Sequence, residues 1–268
     1  MVLTNMSKNS NHSSEGASEE QYTYFGAERV EIQSKTQRVG EVFTSVAERY
    51  DLMNDLLSGG LHRRWKGDLV AWMAPGSERR SYLHVDLAGG TGDVAYRVQN
   101  VAGAAARSIV VDINEAMVRR GVRRLETEQL AEKVSFVVGD AEHIPLPDHS
   151  VDAVTIAFGI RNVTRIENAL ADIFRVLRFG GRFICLEFSH VSVPVLDHIY
   201  DAYSDRIIPL IGQTVTGNGQ AYSYLVESIR NFPDQKTFAA MISAEGFDRV
   251  AWRDLSGGIA ALHSGWRL

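Results

Sequence analysis

Three carboxylates, each at the end of an apolar run, are the residues best placed to do chemistry. Asp86 stands inside HVDLAGGTGD (84 to 93), Asp112 closes SIVVD, and Asp140 follows KVSFVVG. Gly90, Gly92 and Ala95 match the spacing G-x-G-x-x-G/A, which in a dinucleotide site lets backbone approach a pyrophosphate. The acids oppose that reading, because a phosphate-bearing ligand would be repelled where a cationic, phosphate-free nucleoside is attracted. S-adenosylmethionine, a sulfonium with no pyrophosphate, is such a ligand. In that reading Asp86 is buried and takes hydrogen bonds from the glycine-loop amides, and Thr91 donates to the ligand's carboxylate or shapes the turn. Asp112 reaches the ribose hydroxyls, Asp140 accepts from the adenine amine, and the Ala141 amide donates to the ring. A second group, FGIRN (158 to 162), places Arg161 and Asn162 after a further strand and over the same cleft.

Positioning these groups requires alternating strands and helices. SYLHVDLAG, RSIVVDIN, KVSFVVGDA, VDAVTIAFGI and RFICLEFSH are apolar runs of strand length. DVAYRVQNV, NEAMVRRGVRRLETEQL with Asn114 as N-cap, and ENALADIFRVLRFGG stopped by Gly180 and Gly181 are helical between them. Strands apolar on both faces imply a mostly parallel sheet covered by helices. DRVAWRDLSGGIAALHSGWRL adds two strands around a Gly-Gly turn, a closing hairpin foreign to the dehydrogenase pattern. Residues 191–230, too long for a crossover, suggest a helical insertion over the strand ends.

The chain of 268 residues, 45% hydrophobic and 23% charged, suits one large α/β domain. A net charge of -5 argues against a general electrostatic grip on nucleic acid. The lone Cys185, in FICLEF, excludes an internal disulfide and a cysteine-based zinc site and reads as a buried apolar residue; no metal site is read. Residues 1–24 read as a disordered, Ser/Asn/Glu-rich tail without a targeting signal, which points to the cytoplasm. No apolar run is long enough to span a membrane.

From about Phe25 onward the chain resembles the ubiquinone/menaquinone biosynthesis C-methyltransferase family, within the class I S-adenosylmethionine-dependent methyltransferases. The resemblance rests on FTSVAERYDLMNDLLSGGLHRRWK, VDLAGGTGD, VDINEAM, GDAEHIPLPD, TIAFGIRNVT, RVLRFGGRFICLEFS, YDAYS and YSYLVESIRNFPDQKTF. It implies a Rossmann-like sheet, mostly parallel with a C-terminal antiparallel hairpin strand and helices on both faces. It also implies one domain over 25–268, with a helical lid at 35–74 and a substrate cap at 191–230. Thr91, Asp112, Asp140 and Ala141 fall on the family's cofactor positions. So does Ala157, where relatives often carry Ser and only backbone contact carries over. Phe179 replaces the usual proline of a K-P-G-G turn.

The acceptor implied is a ring carbon of a polyprenylated benzoquinol or naphthoquinol. Such a carbon attacks a sulfonium methyl once an adjacent hydroxyl is ionised, so the enzyme must deprotonate a phenol and hold the anion. Arg161, always protonated, stabilises the phenolate or acidifies a bound water, and Asn162 orients that water or the substrate oxygen. Tyr50 and Asp51 close as a lid, with Tyr50 on the cofactor, while His62 with Arg63 and Arg64 anchors the lid. Tyr200, Asp201 and Tyr203 line the quinol pocket, and the Ile207, Ile208, Leu210, Ile211 group receives the tail or packs on the sheet. A lipid substrate implies contact with the inner face of the membrane, and a homodimer and association with other quinone-biosynthesis proteins stay open. So do transfer to another small acceptor and a non-catalytic S-adenosylmethionine-binding scaffold of a lipid-modifying complex.

Overall fold

A computed structural model describes residues 22–25, 28–46, 55, 58–75, 81–128, 132–191 and 219–268. The chain enters through a small antiparallel hairpin, β1 (Tyr22–Phe25) and β2 (Glu28–Glu31), which leads into helix α1 (Ile32–Val46). The lead-in opens on strands, since Tyr22 to Phe25 pair with Glu28 to Glu31. Residues 1–21 of the expected tail lie outside the described residues.

Helix α2 (His62–Met73) precedes the main sheet. Strands β3 (Tyr82–Leu87), β4 (Ala106–Asp112), β5 (Val134–Val138), β6 (Val151–Ala157), β7 (Leu177–Phe188), β8 (Asp248–Leu255) and β9 (Ala260–Trp266) form it in the order β5-β4-β3-β6-β7-β9-β8. The pairs β3–β4, β3–β6, β4–β5 and β6–β7 are parallel; β9 runs antiparallel to both β7 and β8. The order reverses between β3 and β6, and in a doubly wound sheet a ligand cleft opens at that point, outside the strands' carboxyl ends.

Helices α3 (Asp93–Val101), α4 (Glu115–Glu128), α5 (Ile166–Val176), α6 (Gly219–Arg230) and α7 (Gln235–Ala244) complete the layers. One core joins α2, α3 and α6 to the sheet through Trp65, Leu69, Val98, Leu225 and Ile229. The opposite core joins α5 and α7 through Leu170, Ile173, Phe238 and Ile242. Strands covered on both faces explain why their sequences run continuously apolar instead of alternating.

Helix α5 ends earlier than the glycines suggest. Leu177 leaves the helix with φ -66° and ψ 136° and pairs with Val151, so Gly180 and Gly181 lie within β7. The register then shifts until Arg182 faces Ala153, and Gly180, with φ +77°, turns the chain out of line and donates to Arg267 O. Ladder pairing to β6 competes with one more helical turn and wins. At the C-terminus the expected hairpin forms, with Gly257 and Gly258 at positive φ in its connection.

Candidate active site

The loop after β3 meets the ends of β4, β5 and β6 around a cleft of about 800 Å³, open to solvent and lined in part by Gly90, Asp112, Asp140, Ala141, Phe158 and Asn162. Close backbone approach shapes this region. A Cβ at Gly89 would fall 2.7 Å from Asp86 Oδ2, and Gly90 and Gly92 hold φ +56° and +83°. Ala88 and Phe158, directly after β3 and β6, also adopt positive φ, at 46° and 60°. Strain of about 1–3 kcal/mol at such a residue persists only where the surroundings over-determine it, and both residues line the cleft.

Asp112 is buried and organises the loop. It accepts from the Gly90 amide through Oδ2 and from the Asn114 amide through Oδ1, both at 2.8 Å. Burial raises its pKa while these two amides oppose the rise. Asn114 caps α4, accepting from the Ala116 and Met117 amides, and its Nδ2 donates to Thr44 Oγ1 and Gly40 O of α1. The N-cap thus ties the lead-in helix to the floor of the cleft. Asp140 accepts from the Glu142 amide at 2.9 Å in the turn after β5.

Asp86 differs from expectation. Its partner is a hydroxyl: Thr155 Oγ1 on β6 donates to Oδ1 at 2.8 Å, and Oδ2 has no partner. The glycine-loop amide went to Asp112, because that carboxylate sits beside the loop whereas Asp86 lies deeper in its strand. Asp86, Thr91 and Ala157 line a smaller pocket together with Lys66 and Asp93. Lys66 Nζ pairs with Asp93 Oδ2 at 3.0 Å. Burial pushes the Asp86 carboxyl up to about 7, opposed by the Thr155 hydrogen bond and the Lys66 charge. A buried carboxylate oxygen without a partner suits a cationic ligand group, and the glycine backbone beside it leaves that group room.

FGIRN forms a short 3₁₀ turn, Ile160–Asn162, which splits its two polar residues. Asn162 faces the cleft, and Tyr224 OH on α6 donates to its Oδ1 at 2.9 Å. Arg161 faces a second cavity of about 930 Å³, also lined by Lys35, Thr164, Tyr224 and Ser228. Arg161 does not stand free over the cleft. Its Nη1 donates to Glu187 Oε1 at 2.6 Å and to Phe158 O at 2.8 Å, and both charged side chains are 1% exposed. Burial raises the pKa of Glu187 and Arg161 pulls it back down. Val163 and Thr164 line both cavities, so this turn is the wall between them.

Glu187 was legible by the argument applied to Asp86: an acid inside the apolar run RFICLEF must find a partner. Lys35, Lys66 and Tyr224 gave no such signal, being charged or aromatic residues on helices whose orientation sequence leaves open. Lys35 Nζ donates to Val163 O at 3.2 Å, and burial lowers its pKa. Tyr224 is pushed up to about 12 by burial.

His62 is an anchor. Its Nε2 lies 2.9 Å from Asp55 Oδ1, Arg63 takes the other oxygen at 2.7 Å, and burial lowers the His62 pKa. One turn on, Trp65 donates to Ser256 Oγ at 3.1 Å and packs with Phe158 and Phe188 behind the FGIRN turn. Tyr50 and Asp51, and Tyr200, Asp201, Tyr203 and the aliphatics at 207–211, lie outside the described residues.

Solved structures share this architecture at low identity. A SAM-dependent methyltransferase from Thermotoga maritima aligns with TM-score 0.59 and 18% identity, over 86% of this chain and 100% of the other. The [4+2]-cyclase SpnF aligns with TM-score 0.57 and 18% identity, over 83% and 95%. A cyclase on the same fold shows that architecture alone does not select the reaction. Sequence is more selective. The protein named ubiquinone/menaquinone biosynthesis C-methyltransferase UbiE from Methylobacterium nodulans is 56% identical over 94% of this chain and 99% of its own length. Its namesake from a Bradyrhizobium species is 54% identical over 93% and 98%. The model described as the ubiE/COQ5 methyltransferase family matches residues 31–267, a span that holds the glycine loop, the acids after β4 and β5 and the FGIRN turn, and the chain belongs to that family.

Proposed function

We propose that this protein transfers a methyl group from S-adenosylmethionine to a ring carbon of a polyprenylated benzoquinol or demethylmenaquinol, in ubiquinone and menaquinone biosynthesis. The observation that carries the proposal is the FGIRN turn as a shared wall: Asn162 on the cleft side, Arg161 on the side of the second cavity. S-adenosylmethionine supplies the electrophilic methyl. Asp112 and Asp140 hold its nucleoside, with the Gly90 and Ala141 backbone beside them. Asp86 and Thr91 receive its charged amino-acid end next to Ala157, and Tyr50 closes over it.

The acceptor's ring hydroxyl must ionise to make the adjacent carbon nucleophilic. Lys35 and Arg161 place two cations on the second cavity, with Glu167 the one carboxylate beside them in its described lining, and the two cations favour the phenolate. Arg161 stays protonated throughout; Glu187 fixes its direction and tempers its charge. Asn162, held by Tyr224, orients the acceptor oxygen at the wall. Tyr200, Asp201 and Tyr203 complete the acceptor pocket. A polyprenyl tail lives in a bilayer, so the reading carries peripheral contact with the membrane. None of the described helices is long and apolar enough to cross one.

The test is methyl transfer from labelled S-adenosylmethionine to a short-tailed demethylmenaquinol or 2-polyprenyl-6-methoxybenzoquinol, with the product identified as C-methylated. Binding of S-adenosylhomocysteine without transfer to either quinol would refute the acceptor assignment and favour a scaffold or another acceptor.

A further inference from the structure

Behind the cleft, five buried polar side chains form one line across three strands. Gln99 Nε2 of α3 donates to Ser108 Oγ on β4 at 2.8 Å. Ser108 Oγ lies 3.0 Å from His84 Nδ1 on β3, and His84 Nε2 lies 2.8 Å from Thr155 Oγ1 on β6. Thr155 Oγ1 then donates to Asp86 Oδ1 at 2.8 Å. His84 and Thr155 are fully buried, so each must find its partners within this line.

The chemistry of the two ends orders the protons between them. An ionised carboxylate only accepts, so the Thr155 hydroxyl proton is committed to Asp86. Thr155 oxygen must then accept from His84, which places the imidazole proton on Nε2. Nδ1 is left bare and accepts from the Ser108 hydroxyl, whose oxygen accepts from Gln99. Each ring nitrogen is used once and each hydroxyl donates once and accepts once, all in one direction along the line. We infer that His84 is a positioning residue for the cofactor: held as the neutral Nε2–H tautomer, it fixes Thr155 as a donor and so favours the Asp86 anion, with Oδ2 open to the ligand.

The charged groups facing Asp86 are Lys66 of α2 and Asp93 of α3, while Ser108 of β4 and Thr155 of β6 are neutral. Lys66 is committed to Asp93, and the Thr155 donor, ahead of the Ala95 amide, is the strongest hydrogen bond that favours the ionised form. Burial holds the His84 imidazole well below its ordinary range, to about 3, so the ring stays neutral wherever the cofactor binds.

The inference rests on the cofactor reading of the cleft, and two measurements separate the two. Ring ¹⁵N resonances of His84 in the ligand-free full-length protein, assigned by their loss in His84→Gln, should show a protonated Nε2 and a bare Nδ1 at mildly alkaline pH. An Nδ1–H tautomer or an imidazolium there overturns the inference whatever the protein binds. Thr155→Val should weaken S-adenosylhomocysteine binding about tenfold or more at neutral pH, as expected for a lost hydrogen bond to a charged group, and move the midpoint of its pH dependence upward. His84→Gln, whose amide can donate to Thr155, should stay closer to the parent than His84→Leu. An unmoved midpoint in Thr155→Val overturns the inference; failure of the parent protein itself to bind S-adenosylhomocysteine overturns the cofactor reading and leaves the tautomer result standing.

Discussion

The Arg161–Glu187 pair permits a quantitative prediction because both side chains are 1% exposed and their partners are known. Glu187 also accepts from the Phe188 amide at 2.9 Å, and Arg161 donates to Phe158 O and lies 5.6 Å from the Phe188 ring centroid. Deleting one member of a buried pair leaves an uncompensated charge, a loss of about 3–5 kcal/mol. The two deletions should nonetheless differ. In Glu187→Gln, Arg161 cannot shed its proton, so the loss is nearly independent of pH over the range in which the parent's Glu187 is ionised. In Arg161→Met, Glu187 escapes by protonation. Burial already raises its pKa, and removing Arg161 raises it further, so the loss shrinks as pH falls. The double variant Arg161→Met with Glu187→Leu removes both charges and should be more stable than either single variant, within about 1–2 kcal/mol of the parent. Urea unfolding followed by circular dichroism at several pH values measures all four proteins. Additive losses in the double variant, or a pH-independent loss in Arg161→Met, would refute the reasoning. If Arg161 also serves the acceptor oxygen, the double variant should lose about two orders of magnitude in turnover despite its recovered stability.

Asp86 sets a pH dependence of opposite sign for folding and for binding. Its carboxyl is raised on folding from 3.8 to about 7, so its contribution to stability is present below the lower value and lost as pH rises through the higher one. A ligand ammonium needs the anion, so the affinity for S-adenosylhomocysteine, which carries one at its amino-acid end, should climb about tenfold between roughly pH 6 and pH 8, as calorimetry would show; a flat profile removes Asp86 from the ligand. Asp112→Asn turns one acceptor oxygen into a donor against the Gly90 or Asn114 amide, and a thermal shift should report about 1–3 kcal/mol of lost stability with weakened cofactor binding. Tyr224→Phe releases Asn162 at a cost of about 1 kcal/mol, and kinetics should show turnover falling more than cofactor affinity; equal losses would place Tyr224 outside the acceptor site.

The sequence by itself determined the order of elements from β3 to β7, the parallel sheet with its closing hairpin, and the ring of acids around a glycine loop. These follow from periodicity, glycine placement and the cost of burying a charge, all local in the chain. The Asn114 cap was legible for the same reason. The end of α5 was not, because pairing of Leu177 with Val151, across a distance in sequence, outweighed the glycine stop signal.

Partners were decided by tertiary structure alone. Which acid takes the loop amide depends on depth within adjacent strands, and depth assigned it to Asp112 instead of Asp86. Arg161 and Asn162 are neighbours in sequence, yet a single 3₁₀ turn sends them to opposite cavities. Glu187, Thr155, His84 and Tyr224 reach the site from other elements, 26 residues from Arg161, 69 from Asp86, 71 from Thr155 and 62 from Asn162 respectively. Composition and spacing state which groups need partners; only the register of the sheet and the packing of helices on it state which partners they receive.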